Sequence, residues 1–276
     1  MSRRVKSYFI NTIAVLMSVI IYGIPFYFVL LTSFKNRTEA ADLNIKWPSS
    51  FHIIDNYKEV LTTNNGVVIR AFFNSTVITI FSIALLIFIC SMAGFVMQRR
   101  VGKASSLINF LVLAGLMIPP AVVPTIWVLN GIGLFKSIPG LVLVQAALGI
   151  PFSVLLYKGF MATIPKEIDE AAVIDGCDGF RLFFQIVFPL LKTVTSTVIV
   201  LSAVGIFNDF VNPLYFLPGA KNVTVQLTLY HFMSQFNTSW NLLFADVVLI
   251  SLPPLILFIF FNKKIVAGMT AGAVKG

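Results

Sequence analysis

Long runs of uncharged, mostly apolar residues alternate with short polar segments along this chain. The six runs cover residues 7–34, 71–98, 104–135, 137–157, 193–217 and 242–262, and only the last two contain an acid, Asp209 and Asp246 respectively. Each reaches the about 20 residues that an α-helix needs to cross roughly 30 Å of hydrocarbon. The runs lack strand-like alternation, and a segment in hydrocarbon must satisfy its own backbone hydrogen bonds. We therefore predict an all-α integral membrane protein with six transmembrane helices.

Basic residues are distributed unevenly around these six spans. Thirteen of the twenty Lys and Arg fall on the side that carries both termini and the 99–103 and 158–192 connections. Five of the other seven lie in the 35–70 loop, where four acids offset them. Because cytoplasmic loops are enriched in Lys and Arg, we predict that both termini are cytoplasmic and that the 35–70 loop is an extracytoplasmic cap. Within that loop, Asn64-Asn65-Gly66 is typical of a turn.

The composition agrees with a membrane protein. The chain is 58% hydrophobic and 11% charged, with a mean hydropathy of +0.91, whereas soluble domains carry roughly 25% charged residues. An ordinary cytosolic enzyme is therefore excluded. The net charge of +9 would suit nucleic acid or an anionic membrane. The basic residues, however, cluster at the ends of the spans and are not interleaved with aromatics along a groove, so we exclude nucleic acid.

No arrangement of residues in the sequence indicates catalysis. There is no phosphate-binding GxxxxGK[ST] loop, no Ser/His/Asp set and no paired carboxylates near a membrane interface. Cys90 and Cys177 fall in different predicted compartments and lack metal-ligand spacing. We expect no catalytic residue, no metal site and an energy source on another chain. The first apolar run is much longer than a signal-peptide core, which predicts a retained first helix.

The 158–192 connection is too long and too patterned to be a plain turn between membrane helices. Pro165 suits a first helical turn, and the acids Glu167, Asp169 and Glu170 follow where the helix dipole favours them. Gly176 ends this short helix, and a second helix runs from Phe180 to Phe188 before Pro189 breaks it. We predict a compact cytoplasmic elbow whose acids are free to pair outward.

Two interpretations of this elbow are open from the residues alone. A surface amphipathic helix on lipid head groups is common in membrane proteins, but its polar face prefers Lys and Arg. Here five acids, from Glu167 to Asp178, outnumber Lys166 and Arg181. That balance favours a basic protein partner.

Within the elbow, Glu170-Ala171-Ala172 is followed four positions later by Gly176, and then by Ile186 and Pro189. This spacing resembles the "EAA" loop of permease subunits of ABC importers. The chain departs from the pattern with Phe188 where Leu is usual and Cys177 where Ala is usual. The resemblance implies coupling helices that seat in a groove of a cytoplasmic ATPase. The residues expected to dock there are Glu170, Ala171, Ala172, Asp175, Gly176, Ile186 and Pro189.

Further matches resemble the maltose-transporter type of carbohydrate importer. They include Trp47-Pro48, Asn56-Tyr57, Phe73-Asn74-Ser75 and Phe207-Asn208-Asp209-Phe210, where Phe207 stands in place of the usual Trp. The tail from Gly268 to Gly276 is similar to that of a subunit whose C-terminus reaches between the two ATPases. The tail residues expected to contact the ATPases are Gly268, Thr270, Gly272, Lys275 and Gly276.

The resemblance implies the rest of the assembly. A homologous second permease, two ATPase subunits and an extracytoplasmic sugar-binding protein are the expected partners, in a bacterial cytoplasmic membrane. ATP and Mg would sit on the ATPases, with no cofactor on this chain. The whole of 1–276 would form one transmembrane domain, with the extracytoplasmic loop 35–70, the coupling loop 158–192 and a cytoplasmic tail, 263–276.

Polar residues in the fifth span are candidates for the translocation path. Asp209 is costly in mid-bilayer, which favours a wet location, and Asn208, Asn212 and Tyr215 could offer hydrogen bonds and a ring face to a sugar. Contacts between helices are the alternative explanation for each. Prolines at 119, 120 and 124 should break the third span, and Pro253-Pro254 falls midway along the sixth.

Three other classes of protein compete with this interpretation. A secondary transporter should show ionisable residues at mid-membrane and inverted repeats, and neither is evident. A membrane-embedded enzyme should cluster His, Asp or Glu at one interface, and no such cluster occurs. An importer of peptides or ions differs from a sugar importer only through the tail and the fifth-span matches.

Overall fold

A computed structural model describes residues 3–233 and 238–273, with side chains at 11–219, 221–233 and 238–261. All regular secondary structure in these residues is helical. The elements are α1 (Arg3–Ser18), a π-helical turn (Val19–Gly23), α2 (Ile24–Phe34), α3 (Arg37–Ala41), α4 (Ile53–Arg99), α5 (Lys103–Met117), α6 (Val122–Gly131), α7 (Ile138–Met161), α8 (Glu167–Ile174), α9 (Gly179–Arg181), a second π-helical stretch (Leu182–Val187), α10 (Phe188–Leu190), α11 (Lys192–Phe207), α12 (Val211–Phe216), a 3₁₀ turn (Ala220–Asn222), α13 (Val225–Phe232) and α14 (Trp240–Ala273).

The described residues contain four helical segments that are long and apolar enough to cross a membrane. These are Asn11–Phe34, Ile53–Arg99, Ile138–Met161 and Trp240–Phe261. A fifth arises if Gly179–Leu190 and Lys192–Phe207, which meet at a bend of 73°, are counted as one broken span. The all-helical, multi-pass class is confirmed, while the number six stays a prediction.

The predicted third span, 104–135, is two shorter helices rather than one. The first, α5, ends at Met117, Ile118 is extended, and α6 begins at Val122. Pro119-Pro120 occupy this gap, because proline disfavours helical backbone in the residue before it and cannot donate a helical hydrogen bond. The predicted break is therefore confirmed at Pro119-Pro120. It is wrong at Pro124, which lies in the first turn of α6, where proline fits.

The last long helix, α14, continues without a break through two prolines. Pro253 and Pro254 both lie inside α14, which runs from Trp240 to Ala273. Neighbouring helices and local adjustments can satisfy the carbonyls that such prolines leave unpaired. A proline pair therefore ends α5 but not α14.

The chain folds into two compact units. One comprises the chain up to Ala71 together with Val225–Leu252, and the other comprises Phe72–Thr224 together with the chain from Pro253. In the first unit, Asn56 ties the start of α4 to the end of α2, because its side-chain amide donates to the carbonyl oxygens of Ser33 and Lys35 at 2.9 Å. Asn241 of α14 donates to the side-chain oxygen of Asn56 at 2.8 Å.

The predicted 35–70 loop contains helix α3, the start of α4 and a further side-chain contact of this kind. Lys35 is buried, and its ammonium group donates to the backbone and side-chain oxygens of Asn44 at 2.6 and 3.1 Å. Asn64, Asn65 and Gly66 take left-handed backbone angles inside α4, with φ of 47°, 57° and 72°. The turn predicted at these three residues is confirmed, as a kink within a helix rather than a loop.

The second unit is held together by close packing of α4 on α7. Gly94 of α4 faces Tyr157 so closely that a Cβ built on the glycine would lie 2.6 Å from the tyrosine Cβ. The tyrosine hydroxyl donates to Thr195 Oγ1 of α11 at 3.0 Å. The apolar core around this contact includes Leu86, Cys90, Met97, Val154, Tyr157, Met161, Ala172, Leu182, Phe183, Val187, Leu191, Val194 and Val198. This core reaches from α4 and α7 into the 158–192 segment.

Candidate functional site

The 158–192 segment folds into the two short helical pieces that its sequence predicts. The first piece, α8, begins at Glu167 with three acids in its first turn and ends at Ile174. Gly176 follows with a φ of +84°, the left-handed conformation that glycine adopts at least cost. Its N–H donates to the carbonyl of Val173 at 3.0 Å, and the N–H of Cys177 donates to that of Ala172 at 2.9 Å. These bonds close the end of α8.

The second piece forms the underside of the elbow. Asp178 caps it by accepting from the N–H of Arg181 at 3.0 Å, and a π-helical stretch over Leu182–Val187 follows. Ala172 of α8 is buried in the same core as Phe183 and Val187. The small alanine side chain lets α8 lie directly on these larger residues. Ile186 is half-buried against the same core.

The break after the second piece falls later than predicted. Pro189 sits at the second position of α10, a place where proline needs no N–H partner, and Leu191 separates this helix from α11. The two helical directions differ by 73° across Leu191. Leu191 is buried in the core, so the residue at the bend is packed against other apolar side chains.

One acid of α8 points inward and not outward. Arg99, at the end of α4, donates from Nε to Asp169 Oδ2 at 2.5 Å, and from Nη2 to the carbonyl of Ile164 at 3.0 Å. The two charged side chains are only 11% and 14% exposed. The prediction that the acids are free to pair outward is wrong for Asp169, whereas Asp178 caps α9 through one carboxylate oxygen and stays exposed. From the sequence, Arg99 served only to predict the orientation of the spans. Its ion pair with Asp169 had no signal in the sequence.

The outward face of the elbow combines acids with exposed apolar side chains. Glu170 and Asp175 are exposed, as are Gly176 and Pro189. Beside them lie Val173, Ile174 and Phe180, of which Ile174 is 86% exposed. Large apolar side chains that stand exposed next to acids are typical of a protein-binding surface. Ala171 faces outward with them, while Ala172 is buried below.

A second candidate site surrounds Asp209, in the break between α11 and α12. Asp209 Oδ2 accepts from Gln145 Nε2 of α7 at 2.5 Å and from Asn212 Nδ2 at 2.6 Å. These three residues line a cavity of about 380 Å³. Its other walls are Leu86, Leu148, Gly149, Phe152, Ser153, Leu201, Ser202, Gly205 and Ile206. The cavity thus has one polar end and mostly apolar walls.

Only two of the four sequence candidates for the translocation path lie at this cavity. Asp209 and Asn212 line it, whereas Asn208 and Tyr215 do not. Gln145 was missed, although an amide within the apolar run 137–157 was a signal that could have indicated it. The predicted fifth span is also not continuous, since α11 ends at Phe207 and α12 begins at Val211. Breaking the helix there brings the Asp209 carboxylate to the cavity.

Asp246, the other acid in an apolar run, has a different environment. It is fully buried in the first unit, and its Oδ2 accepts from Thr228 Oγ1 at 2.6 Å. It does not line the Asp209 cavity. Among the described residues no group of three or more His, Cys, Asp or Glu is placed to hold a metal ion.

The tail residues predicted to reach a partner can be placed only in part. Gly268, Thr270 and Gly272 belong to the last turns of α14, where the backbone is helical. Lys275 and Gly276 lie outside the described residues.

The family model described as "Binding-protein-dependent transport system inner membrane component" matches residues 86–271. This match includes α7, the elbow, the Asp209 cavity and most of α14. The chain belongs to this family of transport-system membrane components. Members are the membrane permease part of such systems, which agrees with a chain that is non-catalytic and multi-pass.

Curated relatives match over nearly the full length. The chain is 33% identical over 273 residues to a probable starch degradation products transport system permease protein, AmyC, of Thermoanaerobacterium thermosulfurigenes, covering 98% of both. It is 34% identical over 280 residues to the melibiose/raffinose/stachyose import permease protein MelC of Bacillus subtilis, covering 99% of both.

A solved structure has the same fold. The match is to a chain in the crystal structure of a bacterial ABC transporter involved in the import of the acidic polysaccharide alginate, with a TM-score of 0.82. It covers 95% of this chain and 98% of that one at 16% sequence identity. At this identity the likeness establishes the permease fold and nothing finer.

Proposed function

We propose that this chain is a permease subunit of an ATP-driven, binding-protein-dependent importer of a sugar or oligosaccharide. The observation that carries the proposal is the elbow, which offers an exposed acidic and apolar face while its underside joins the core of α4, α7 and α11. Membership of the permease family supports the transport role, and relatives named for starch products and for melibiose, raffinose and stachyose support a carbohydrate substrate.

The proposed assembly contains a homologous second permease, two ATPase subunits and an extracytoplasmic sugar-binding protein. A related structure described as a complex with an alginate pentasaccharide-bound periplasmic protein supports the last of these. ATP and Mg would bind only to the ATPases, and no cofactor to this chain. We propose six spans with both termini cytoplasmic, in a bacterial cytoplasmic membrane, because thirteen of the twenty Lys and Arg fall on that side.

The elbow would act as the coupling element. Its exposed residues Glu170 and Asp175 would meet basic groups of an ATPase, and Ile174 would fill an apolar recess. The closing of two ATPases on ATP would displace α8, and the Arg99–Asp169 pair would carry that displacement to the end of α4. Rocking of the helices between inward-open and outward-open states would then give alternating access.

The coupling surface and the tail complete the proposed contacts with the ATPases. The docking residues are Glu170, Ala171, Ala172, Asp175, Gly176, Ile186 and Pro189. Ala172 would contribute indirectly, because it is buried beneath the exposed face and packs α8 on the core. The tail residues Gly268, Thr270, Gly272, Lys275 and Gly276 would lie between the ATPases.

The Asp209 cavity would contribute to the translocation path. Sugars are bound by planar polar groups that accept and donate hydrogen bonds, together with apolar surfaces for the faces of the ring. Asp209, Asn212 and Gln145 supply the polar groups, and Phe152 supplies a ring at the same cavity. Asn208 and Tyr215 do not line this cavity. They would stand at the edge of the translocation path.

Charge reversal at the elbow tests the proposed coupling. Glu170→Lys should lower the sugar transported per ATP hydrolysed at least tenfold, because an unpaired charge in a desolvated interface costs about 2 kcal/mol or more. The assay measures uptake and ATP hydrolysis in vesicles with the complete complex and the binding protein. Glu59→Lys, an exposed acid of the predicted extracytoplasmic loop, is the matched control. Normal coupling in Glu170→Lys would refute the assigned role.

A further inference from the structure

A cavity near the elbow end of the second unit is not used by the proposed transport path. It has a volume of about 570 Å³ and lies where α4, α5 and α7 meet. Its walls are Met97, Gln98, Arg100, Val101, Gly102, Lys103, Ser105, Ser106, Asn109 and Lys158. Three of these ten residues are basic and none is acidic. The wall of this cavity therefore concentrates positive charge.

The cations come from two parts of the chain. Arg100 and Lys103 lie three residues apart in the connection between α4 and α5, and Lys158 stands near the end of α7. In the part of the chain whose side chains are described, none of them forms an ion pair with a carboxylate. Lys158 is instead held at the cavity by Asn109, whose side-chain oxygen accepts from its ammonium group at 2.5 Å. An enrichment of basic residues near a membrane surface explains each charge singly, but only the packing of α7 brings Lys158 to the same wall as Arg100 and Lys103.

The start of α5 adds to this positive potential. Gly102 precedes the helix and provides no side-chain cap, and the first turn contains no acid. The partial positive charge of the helix N-terminus is therefore not neutralised locally. The hydroxyl groups of Ser105 and Ser106 lie on the same cavity wall as possible hydrogen-bond donors.

An apolar surface continues from the cavity along α5. Leu107 and Phe110 stand one and two turns beyond Lys103 on the same side of the helix, and both are exposed. Val101, in the wall of the cavity itself, is 95% exposed. A free phosphate or a nucleotide would need only the basic wall. A basic wall that continues into an exposed apolar helix face matches a molecule with an anionic head and hydrocarbon chains.

We propose that this cavity binds the headgroup phosphate of an anionic phospholipid, whose acyl chains lie along the exposed face of α5. The phosphate would contact Arg100, Lys103 and Lys158, with the two serine hydroxyls as additional donors. Basic pockets between membrane helices are known to select such headgroups by charge. The site includes Arg100, the residue after Arg99, whose side chain pairs with Asp169 of the elbow. A bound lipid would therefore stabilise the junction between α4 and α5.

The test measures lipid retention by the transporter complex, purified in detergent from membranes. The complex is mixed with dioleoyl phosphatidylglycerol and dioleoyl phosphatidylcholine, and the bound lipids are counted by native mass spectrometry. The test variant carries Arg100→Gln, Lys103→Gln and Lys158→Gln. The control variant removes the same charge from exposed lysines that do not line the cavity, as Lys46→Gln, Lys58→Gln and Lys221→Gln. Neither measurement depends on transport, so the result is separate from the proposed function.

The expected result is a specific loss of phosphatidylglycerol from the cavity variant. Its affinity should fall on the order of 100-fold, since each basic residue near a lipid surface contributes a factor of about five. The control variant and phosphatidylcholine binding should not change. If the triple variant does not fold, Lys103→Gln alone, at an exposed position, should weaken retention about fivefold.

Three outcomes would overturn the proposal. Equal phosphatidylglycerol retention by the cavity variant and the control would show that the lipid binds elsewhere. Displacement of the lipid by inorganic phosphate at equal concentration would show an anion site that does not use the apolar face of α5. Loss of retention from the control variant as well would likewise show a nonspecific effect of net charge.

Discussion

The ion pair between Arg99 and Asp169 provides a sharp test of how the elbow is held. Asp169→Asn keeps the size of the side chain but removes its charge, and leaves the Arg99 guanidinium facing two backbone carbonyls without its carboxylate. Arg99 Nη2 would still donate to the carbonyls of Ile164 and Pro165, at 3.0 and 3.4 Å. The elbow should therefore loosen without unfolding the second unit.

The magnitude follows from the burial of the pair. Fully exposed ion pairs contribute about 0 to 1 kcal/mol, whereas breaking a buried pair costs about 3 to 5 kcal/mol. With the side chains of Arg99 and Asp169 only 11% and 14% exposed, this pair lies toward the buried limit. We expect a loss of about 2 to 3 kcal/mol in the free energy of local opening of α8, or roughly 30- to 150-fold.

Hydrogen exchange measures this opening directly. The amides of Asp175, Gly176 and Cys177 are hydrogen-bonded only while the end of α8 is intact. Their exchange in Asp169→Asn should accelerate by the stated factor, while amides of α11 keep their rates. Arg99→Met should have a similar effect, and the double variant should be little worse than either single one, because both remove the same interaction.

The control is Glu167→Gln, which removes an exposed acid from the first turn of the same helix. It should change exchange only about two- to threefold, because a helix-end charge at the surface contributes about 0.5 kcal/mol. Strictly additive effects of Arg99→Met and Asp169→Asn, or unchanged exchange in Asp169→Asn, would refute the idea that this pair holds the elbow.

Three further predictions concern packing and the helix break. Gly94→Leu should prevent stable assembly, measured as loss of folded protein after extraction, because even a Cβ there would lie 2.6 Å from Tyr157. Asn56→Ala should destabilise the first unit by about 2 kcal/mol, seen as a lower midpoint of thermal unfolding, since three buried hydrogen bonds are lost. We also propose that the break at Pro119-Pro120 shapes the translocation path, so replacing both prolines with Ala should lower sugar uptake more than complex yield. Unchanged uptake would contradict that role.

Much of the elbow could be predicted because its signals are local. Three acids at a helix start and a glycine at its end act on backbone groups within a few residues. The position of the bend was less accurate. Pro189 indicated a break, but the chain turns at Leu191, a residue whose burial in the core could not be read from the local sequence.

The Asp209 site was predicted only in part, because one of its three polar residues is distant in the chain. Asp209 and Asn212 are three residues apart, so their proximity follows from chain geometry. Gln145 is 64 residues away, and only the packing of α7 against the break after α11 brings its amide to the carboxylate. Asn208 and Tyr215 were equally plausible from sequence, yet neither lines the cavity.

The sequence alone determined that this protein is helical and crosses a membrane, because hydrocarbon tolerates only long apolar segments with satisfied backbones. It also determined the elbow and the family to which the chain belongs, since both depend on short-range patterns. Only the tertiary structure decided which charges face inward. Pairings such as Arg99 with Asp169, Gln145 with Asp209 and Lys158 with Asn109 join residues far apart in the chain, and their formation depends on how whole helices pack.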